Sequence, residues 1–110
     1  MYKLDSTDRG ILRYLQQNAL LTTKELAMQL NLSYTPVYER VRKLEREEVI
    51  KKYVALVNRE KIGRNLIAFC NVSLKEHSRA NGEKFVSAVM TFEEVMECYN
   101  ISGEYDFMLK

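Results

Sequence analysis

Histidine and proline each occur once in this 110-residue chain, cysteine twice and tryptophan not at all. Each scarcity removes a class of function. A single His77, set in a polar stretch, cannot build a multi-histidine metal site, argues against a tetrapyrrole pocket, and is read as an ordinary surface side chain. Cys70 and Cys98 lie far apart inside apolar segments and form no Cys-x-x-Cys pair, which argues for reduced core thiols rather than a disulfide or a metal centre. No apolar run approaches the ~18 residues that a membrane span requires, and nothing resembles a signal peptide. The chain is therefore expected to be cytoplasmic, with no membrane partner, metal or cofactor. Charge of one sign is also scarce, with 17 Lys/Arg against 15 Asp/Glu and a net charge of +2. The small surplus is uneven. Residues 1–60 hold eleven basic against eight acidic side chains, and residues 61–110 hold six against seven.

What is present is a folded-protein composition, 46% apolar, in a length that suits one ordinary domain or two very small ones. The densest information lies in residues 21–45, LTTKELAMQLNLSYTPVYERVRKLE. Thr22 and Glu25 form a capping box bracketed by Leu21 and Leu26 as a hydrophobic staple, so a helix starts at Thr23. Leu26, Ala27 and Leu30 share its inner face, and Asn31 can end it in the left-handed region. A turn of Asn31, Leu32 and Ser33 follows. Ser33 suits the N-cap of a second helix, and Pro36 falls in that helix's first turn, where a missing N–H costs nothing.

At about 100° per residue, the second helix gathers Val37, Val41 and Leu44 on one side. Thr35, Tyr38, Glu39, Arg42 and Arg46 gather opposite, and Tyr34 stands at the N-terminal end. The first face is core. The second carries hydroxyls, phenols and guanidiniums, the groups that read base edges and clamp phosphates in a major groove. The same face could instead be solvated, with charge pairs such as Glu39 with Lys43. The complete order of cap, turn and cap favours a helix-turn-helix that binds double-stranded DNA. With so small a basic surplus, useful affinity calls for two or more copies acting together.

Residues 4–17 form a supporting helix, opened by Asp5 and Asp8 and buried through Ile11, Leu12 and Leu15. After Leu44 the polar run 45–48 ends the second helix. Residues 49–57 read as an extended segment, with Lys51 and Lys52 either touching phosphates as a wing would or simply solvated. Residues 58–64, NREKIGR, read as a hinge linker. Beyond it, residues 66–74 alternate as a strand, with Leu66, Ala68, Cys70, Val72 and Leu74 on a wholly apolar face. A polar stretch leads to a helix at about 83–90, with Phe85, Val86, Val89 and Met90 inward. A strand near 95–102, a turn at 103–106 and a strand from Phe107 complete the order β, α, β, β.

These residues resemble the leucine-responsive regulator family of bacterial and archaeal transcription factors, also called feast/famine or AsnC-type regulators. The likeness spans essentially the whole chain: Leu4-Asp5-x-x-Asp8-x-x-Ile11-Leu12, Glu25-Leu26-Ala27, Leu32-Ser33, Arg40-Val41-x-x-Leu44-Glu45, Val49-Ile50 and Gly103-x-x-Asp106. It implies an α+β protein. An N-terminal three-helix, winged-helix-like DNA-binding domain (1–57) and a hinge (58–64) would precede a ferredoxin-like βαββαβ effector-binding and oligomerisation domain (65–110), here only as far as βαββ. Ser33, Tyr34, Thr35, Tyr38, Arg42, Lys43 and Arg46 become the expected DNA contacts of the recognition helix, with Lys51 and Lys52 behind it. Arg40 matches the family's recurrent arginine, either in a phosphate contact or in a structural ion pair. Gly103, Tyr105 and Asp106 match the effector motif, and the alternative for that turn is a hairpin held by an Asx-type bond. Homodimers assembling into higher oligomers and an amino-acid effector are implied.

Two departures stand out. Glu48 takes the place of the family's usual glycine, so either the helix runs on or a non-glycine residue is left-handed at a cost of about 1 kcal/mol. The family's last helix and strand have no counterpart before Lys110, so an incomplete protein is expected, with an unpaired sheet edge and part of an apolar face uncovered. The expected function is a sequence-specific DNA-binding regulator rather than an enzyme. Its rivals are a DNA-coating architectural protein without sequence preference and an enzyme like the siroheme decarboxylases, which resemble the family in fold.

Overall fold

Capping boxes decide where the first two helices begin. A computed structural model describes residues Met1–Lys110, and in it α1 spans Ser6–Gln17, α2 Thr23–Leu30 and α3 Tyr34–Arg46. Asp5 caps α1 by accepting from the Asp8 amide while the Asp8 carboxylate accepts from the Asp5 amide. Thr22 and Glu25 do the same for α2. Asn31 ends α2 at φ 52°, in the left-handed region, and turns the chain toward α3. Ser33 occupies the N-cap position of α3 without a side-chain capping hydrogen bond.

Ile11, Leu15, Leu26, Ala27, Val37 and Leu44 close one core among the three helices, and Ile11, Leu26, Val37 and Leu44 are fully buried in it. Leu30 of α2 packs close over Gly10 of α1, where a Cβ would stand 2.7 Å from Leu30 Cδ2 and oblige that side chain to shift. The helix α3 stops at Arg46 and Glu48 adopts φ 55°. The left-handed alternative thus holds, and Ile50 N–H donates to the Leu44 carbonyl across that turn at 3.0 Å.

The chain divides into two compact units, Met1–Val57 and Asn58–Lys110. Residues 51–57 form no strand and are all exposed. Their side-chain pattern favours extended backbone, but a strand needs a partner for its ladder, and none pairs with this segment. The segment read as extended thus carries no strand, and Lys51 and Lys52 lie on irregular backbone.

The second unit opens with a short 3₁₀ turn, Glu60–Ile62, closed by Gly63 at φ 72°. It continues as β1 (Cys70–Val72), α4 (Arg79–Val89), β2 (Cys98–Asn100) and β3 (Phe107–Leu109). The sheet is antiparallel in the order β1-β3-β2, with Cys70 and Cys98 both opposite Leu109. Both β1 and β2 are edges. The nine-residue strand expected at 66–74 is thus three residues long, because β1 pairs only with β3, whose ladder runs from Phe107 to Leu109. Leu66, expected on the wholly apolar face, is exposed, and so is Phe69 on the opposite one.

Helix α4 starts four residues earlier than the apolar pattern implied. Ser78 caps it by accepting from the Asn81 amide at 3.1 Å, a local bond that hydrophobic periodicity does not register. Val89 is buried, but Met90 is the exposed C-cap residue rather than an inward one. Both cysteines are free, as expected, yet neither is core: Cys70 is exposed and Cys98 half-buried. The edge position of their strands accounts for this.

Candidate nucleic-acid interface

On α3 the buried pair Val37 and Leu44 turns Tyr34, Thr35, Tyr38, Glu39, Arg42, Lys43 and Arg46 outward. Tyr34 and Tyr38, one helical turn apart, are 53% and 39% exposed and stack with ring centroids 5.9 Å apart and planes 13° from parallel. The Arg42 guanidinium lies over the Tyr38 ring, its central carbon 5.2 Å from the centroid. Arg42 Nη1 also donates to Glu45 Oε2 at 2.9 Å. Tyr38 and then Glu45 raise the Arg42 guanidinium above its ordinary value, so it stays a full cation. Two phenols and a guanidinium therefore form a continuous row along the exposed face of the helix. Such a row offers stacking surface, a hydroxyl at each ring and planar donors matched to phosphate or guanine acceptors.

Arg40 does something else. Its Nη1 donates to Asp8 Oδ1 at 3.0 Å and to Asp5 Oδ2. Asp8 is only 5% exposed, the one buried charged residue of the chain, and Arg40 is its counter-ion. Of the two open roles the structure places Arg40 in the ion pair, tying the α3 guanidinium to the α1 cap. The Asp8 amide and then Arg40 hold the Asp5 carboxyl below its usual range. Lys43 sits over the Tyr2 ring, 5.6 Å from the centroid, and Arg46 reaches Glu47 at 3.9 Å. The Glu39–Lys43 pair does not form. The ion pairs made on this face are Arg42–Glu45 and, at 3.9 Å, Arg46–Glu47.

One partner was hidden in the sequence. Tyr53, within the irregular 51–57 segment, donates its hydroxyl to Glu45 Oε1 at 2.8 Å. Desolvation, followed by the Glu45 carboxylate, pushes the Tyr53 phenol up to about 12. The end of α3 and the left-handed Glu48 lie between these side chains, so no single helical or strand period linked them.

In the second unit the effector-motif residues separate. Gly103 adopts φ 120°, a conformation that glycine alone takes freely, and with Tyr105 stays at the exposed tip of the β2–β3 turn. Asp106 turns inward. Its Oδ2 accepts from the Leu74 amide at 2.7 Å, and its Oδ1 lies 3.1 Å from His77 Nδ1. The turn is closed by backbone, Ile101 N–H donating to the Asp106 carbonyl at 3.0 Å, rather than by an Asx-type bond. The lone histidine is thus a partner of the motif's aspartate. Both line an open cleft of about 690 Å³ between α4 and the sheet, with Arg79, Glu83, Asn100 and Phe107 among its walls. No three His, Cys, Asp or Glu side chains converge to hold a metal ion.

Two family models match the chain in the same order as its two units. Residues 4–51 match a winged helix-turn-helix DNA-binding model, and residues 67–110 match the Lrp/AsnC ligand binding domain. The leucine-responsive regulatory protein of Rhizobium meliloti is 43% identical over 108 residues, covering 98% of this chain and 69% of the relative. This chain belongs to the Lrp/AsnC family. The Klebsiella pneumoniae leucine-responsive regulatory protein is 40% identical over 97% of the chain, and the match spans 65% of that relative's length. Among solved structures, an AsnC family transcriptional regulator from Agrobacterium tumefaciens superposes with a TM-score of 0.87 at 36% identity, covering 96% of this chain and 69% of that one. A transcriptional regulator from Neisseria meningitidis in complex with L-Met matches with a TM-score of 0.86 at 36% identity, over 97% and 69% of the two chains. The matched winged helix-turn-helix region, residues 4–51, takes in all of α3. No helix of the chain is long and apolar enough to cross a membrane.

Proposed function

We propose that this Lrp/AsnC chain is part of a sequence-specific, DNA-binding transcriptional regulator that carries no catalytic activity and works in the cytoplasm. The observation that carries the reading is the exposed Tyr34–Tyr38–Arg42 row on α3, turned away from its buried Val37 and Leu44. In the major groove, Tyr34, Thr35, Tyr38 and Arg42 read base edges, while Ser33, Lys43, Arg46, Lys51 and Lys52 bind the phosphate backbone. Arg40 is withdrawn from the contact set, because Asp5 and Asp8 already occupy its guanidinium. Copies joined through the second unit as a homodimer or higher oligomer set paired helices on half-sites about one helical turn apart. The L-Met complex of the Neisseria meningitidis relative supports an amino acid as the class of effector. Asp106, beside His77 at the cleft, is the acceptor best placed for an ammonium group, and Gly103 and Tyr105 shape the turn that presents it. An effector acts by favouring one assembly over another, since a ligand shifts only states that it binds differently.

The test is selection of bound genomic fragments by the purified chain at two salt concentrations, beside a chain carrying Tyr38→Ala and Arg42→Ala. A shared, roughly palindromic motif that the double variant loses is expected. Recovery of unenriched DNA, released equally by salt from both proteins, would replace this reading with a DNA-coating role.

A further inference from the structure

Arg42 could reach widely on its own, since three of its four side-chain torsions are free of the helix backbone. It is nevertheless held at one place. The Glu45 carboxylate takes one donor on each oxygen, Tyr53 Oη on Oε1 at 2.8 Å and Arg42 Nη1 on Oε2 at 2.9 Å. Glu45 is itself mostly covered, its side chain 27% exposed, whereas the Arg42 side chain is 60% exposed. The order along the row is therefore a half-exposed phenol bonded to the carboxylate, a shielded carboxylate, a guanidinium at the surface and then the face of Tyr38. We propose that Tyr53 and Glu45 are positioning residues for DNA recognition, locking Arg42 over the Tyr38 ring so that the pair enters the groove as one preformed surface. This rests on the reading of α3 as the DNA-reading helix and adds to it two residues that touch no DNA.

The physical reason is preorganisation. A long cation that must be ordered on binding loses conformational freedom at that moment, whereas one ordered in the free protein has already lost it. Holding the guanidinium over an aromatic face with only Nη1 engaged also leaves its other donors free for a base or phosphate. The carboxylate has a second consequence. Its negative charge opposes phosphate binding, so Glu45 lowers affinity for any duplex while sharpening the choice among duplexes.

The chain, Tyr53→Phe, Glu45→Gln, Arg42→Ala and the Tyr53→Phe/Arg42→Ala pair are compared in two measurements. The first needs no DNA: Arg42 side-chain proton resonances carry the ring-current shift of Tyr38, and this shift is expected to collapse in Tyr53→Phe and in Glu45→Gln, with thermal unfolding of Tyr53→Phe unchanged. The second compares affinity for a random duplex library with affinity for the pool that the unaltered chain enriches from it. Tyr53→Phe should lower the enriched-to-random ratio by about fivefold, the scale of a charge-assisted hydrogen bond discounted for exposure, and should lower it no further when Arg42 is already alanine. Glu45→Gln should lower the same ratio while raising affinity for the random library. Persistence of the ring-current shift in Tyr53→Phe would overturn the positioning role alone. Its loss without any change in the ratio, together with a wild-type ratio in Arg42→Ala, would overturn DNA reading through Arg42, and the proposal with it.

Discussion

The two units of this chain solve the problem of burial in opposite ways. Met1–Val57 closes a core in which four large side chains are wholly buried, and each of its first two helices is defined by a capping box spanning four residues. Asn58–Lys110 buries only Val89 and Phe107 and leaves Leu66, Phe69, Phe92 and Met96 largely exposed around three three-residue strands. Its order depends on distant partners: the Phe85–Phe107 ring contact with centroids 4.9 Å apart, Asp106 under the Leu74 amide, and Lys110 with Glu97 at 3.0 Å. The contrast teaches that a helical unit can be specified turn by turn. A small sheet unit is specified by contacts that exist only after the chain has returned on itself.

The contrast can be broken most severely at Leu44. Truncation to alanine removes a side chain from the centre of the helical core and should cost about 3 kcal/mol. Amide exchange of α1–α3 should accelerate while that of β1–β3 holds, so equal acceleration in both would show that the units do not have separate cores. Asp106→Ala makes the reciprocal cut. Losing a charge-assisted bond to a partly buried amide should cost about 2 kcal/mol, confined to the exchange of residues in the sheet unit. The same variant should abolish the influence of Asp106 on the His77 imidazole resonances.

A smaller change sharpens the comparison in the other direction. Glu48 holds a left-handed conformation at φ 55° that glycine adopts without strain. Glu48→Gly should stabilise the helical unit by about 0.5 kcal/mol in urea unfolding, the relief of strain being partly offset by greater freedom of the unfolded chain. The smallest effect is in acid. The folded state holds the Asp5 carboxyl below its ordinary value of 3.8, chiefly through the Asp8 amide and then Arg40. That contribution is complete above the ordinary value and disappears as pH falls through the lower folded one. Arg40→Gln should therefore flatten the acid side of the unfolding profile for the helical unit and leave its neutral side parallel to that of the unaltered chain.

Much of the helical unit was legible because its signals are local. Thr22 and Glu25 are three residues apart, as are Asp5 and Asp8, and Asn31 marks the turn between α2 and α3. The outward set on α3 followed from the same periodicity that placed Val37 and Leu44 inside. Legibility failed where a partner lay far away in the chain. Arg40 carries a clear charge but no indication that it belongs to Asp5 and Asp8, more than thirty positions earlier. Tyr53 looked like one more residue of an extended segment until the fold set it against Glu45, and His77, a surface side chain as read, gained Asp106 as a partner.

By itself, then, the sequence determined the order of helices and strands, the caps and turn of the helix-turn-helix, and the face that α3 keeps from the core. These depend on side chains within a turn or two of each other, whose geometry is set by backbone dihedrals and helical period. Only the tertiary structure decided that Glu48 is left-handed, that the sheet's strands are three residues long, that 51–57 forms no strand, and which carboxylate holds which cation. Those outcomes depend on which ladder has a partner and which charge meets another after chain closure, and such meetings leave no periodic trace in the order of residues.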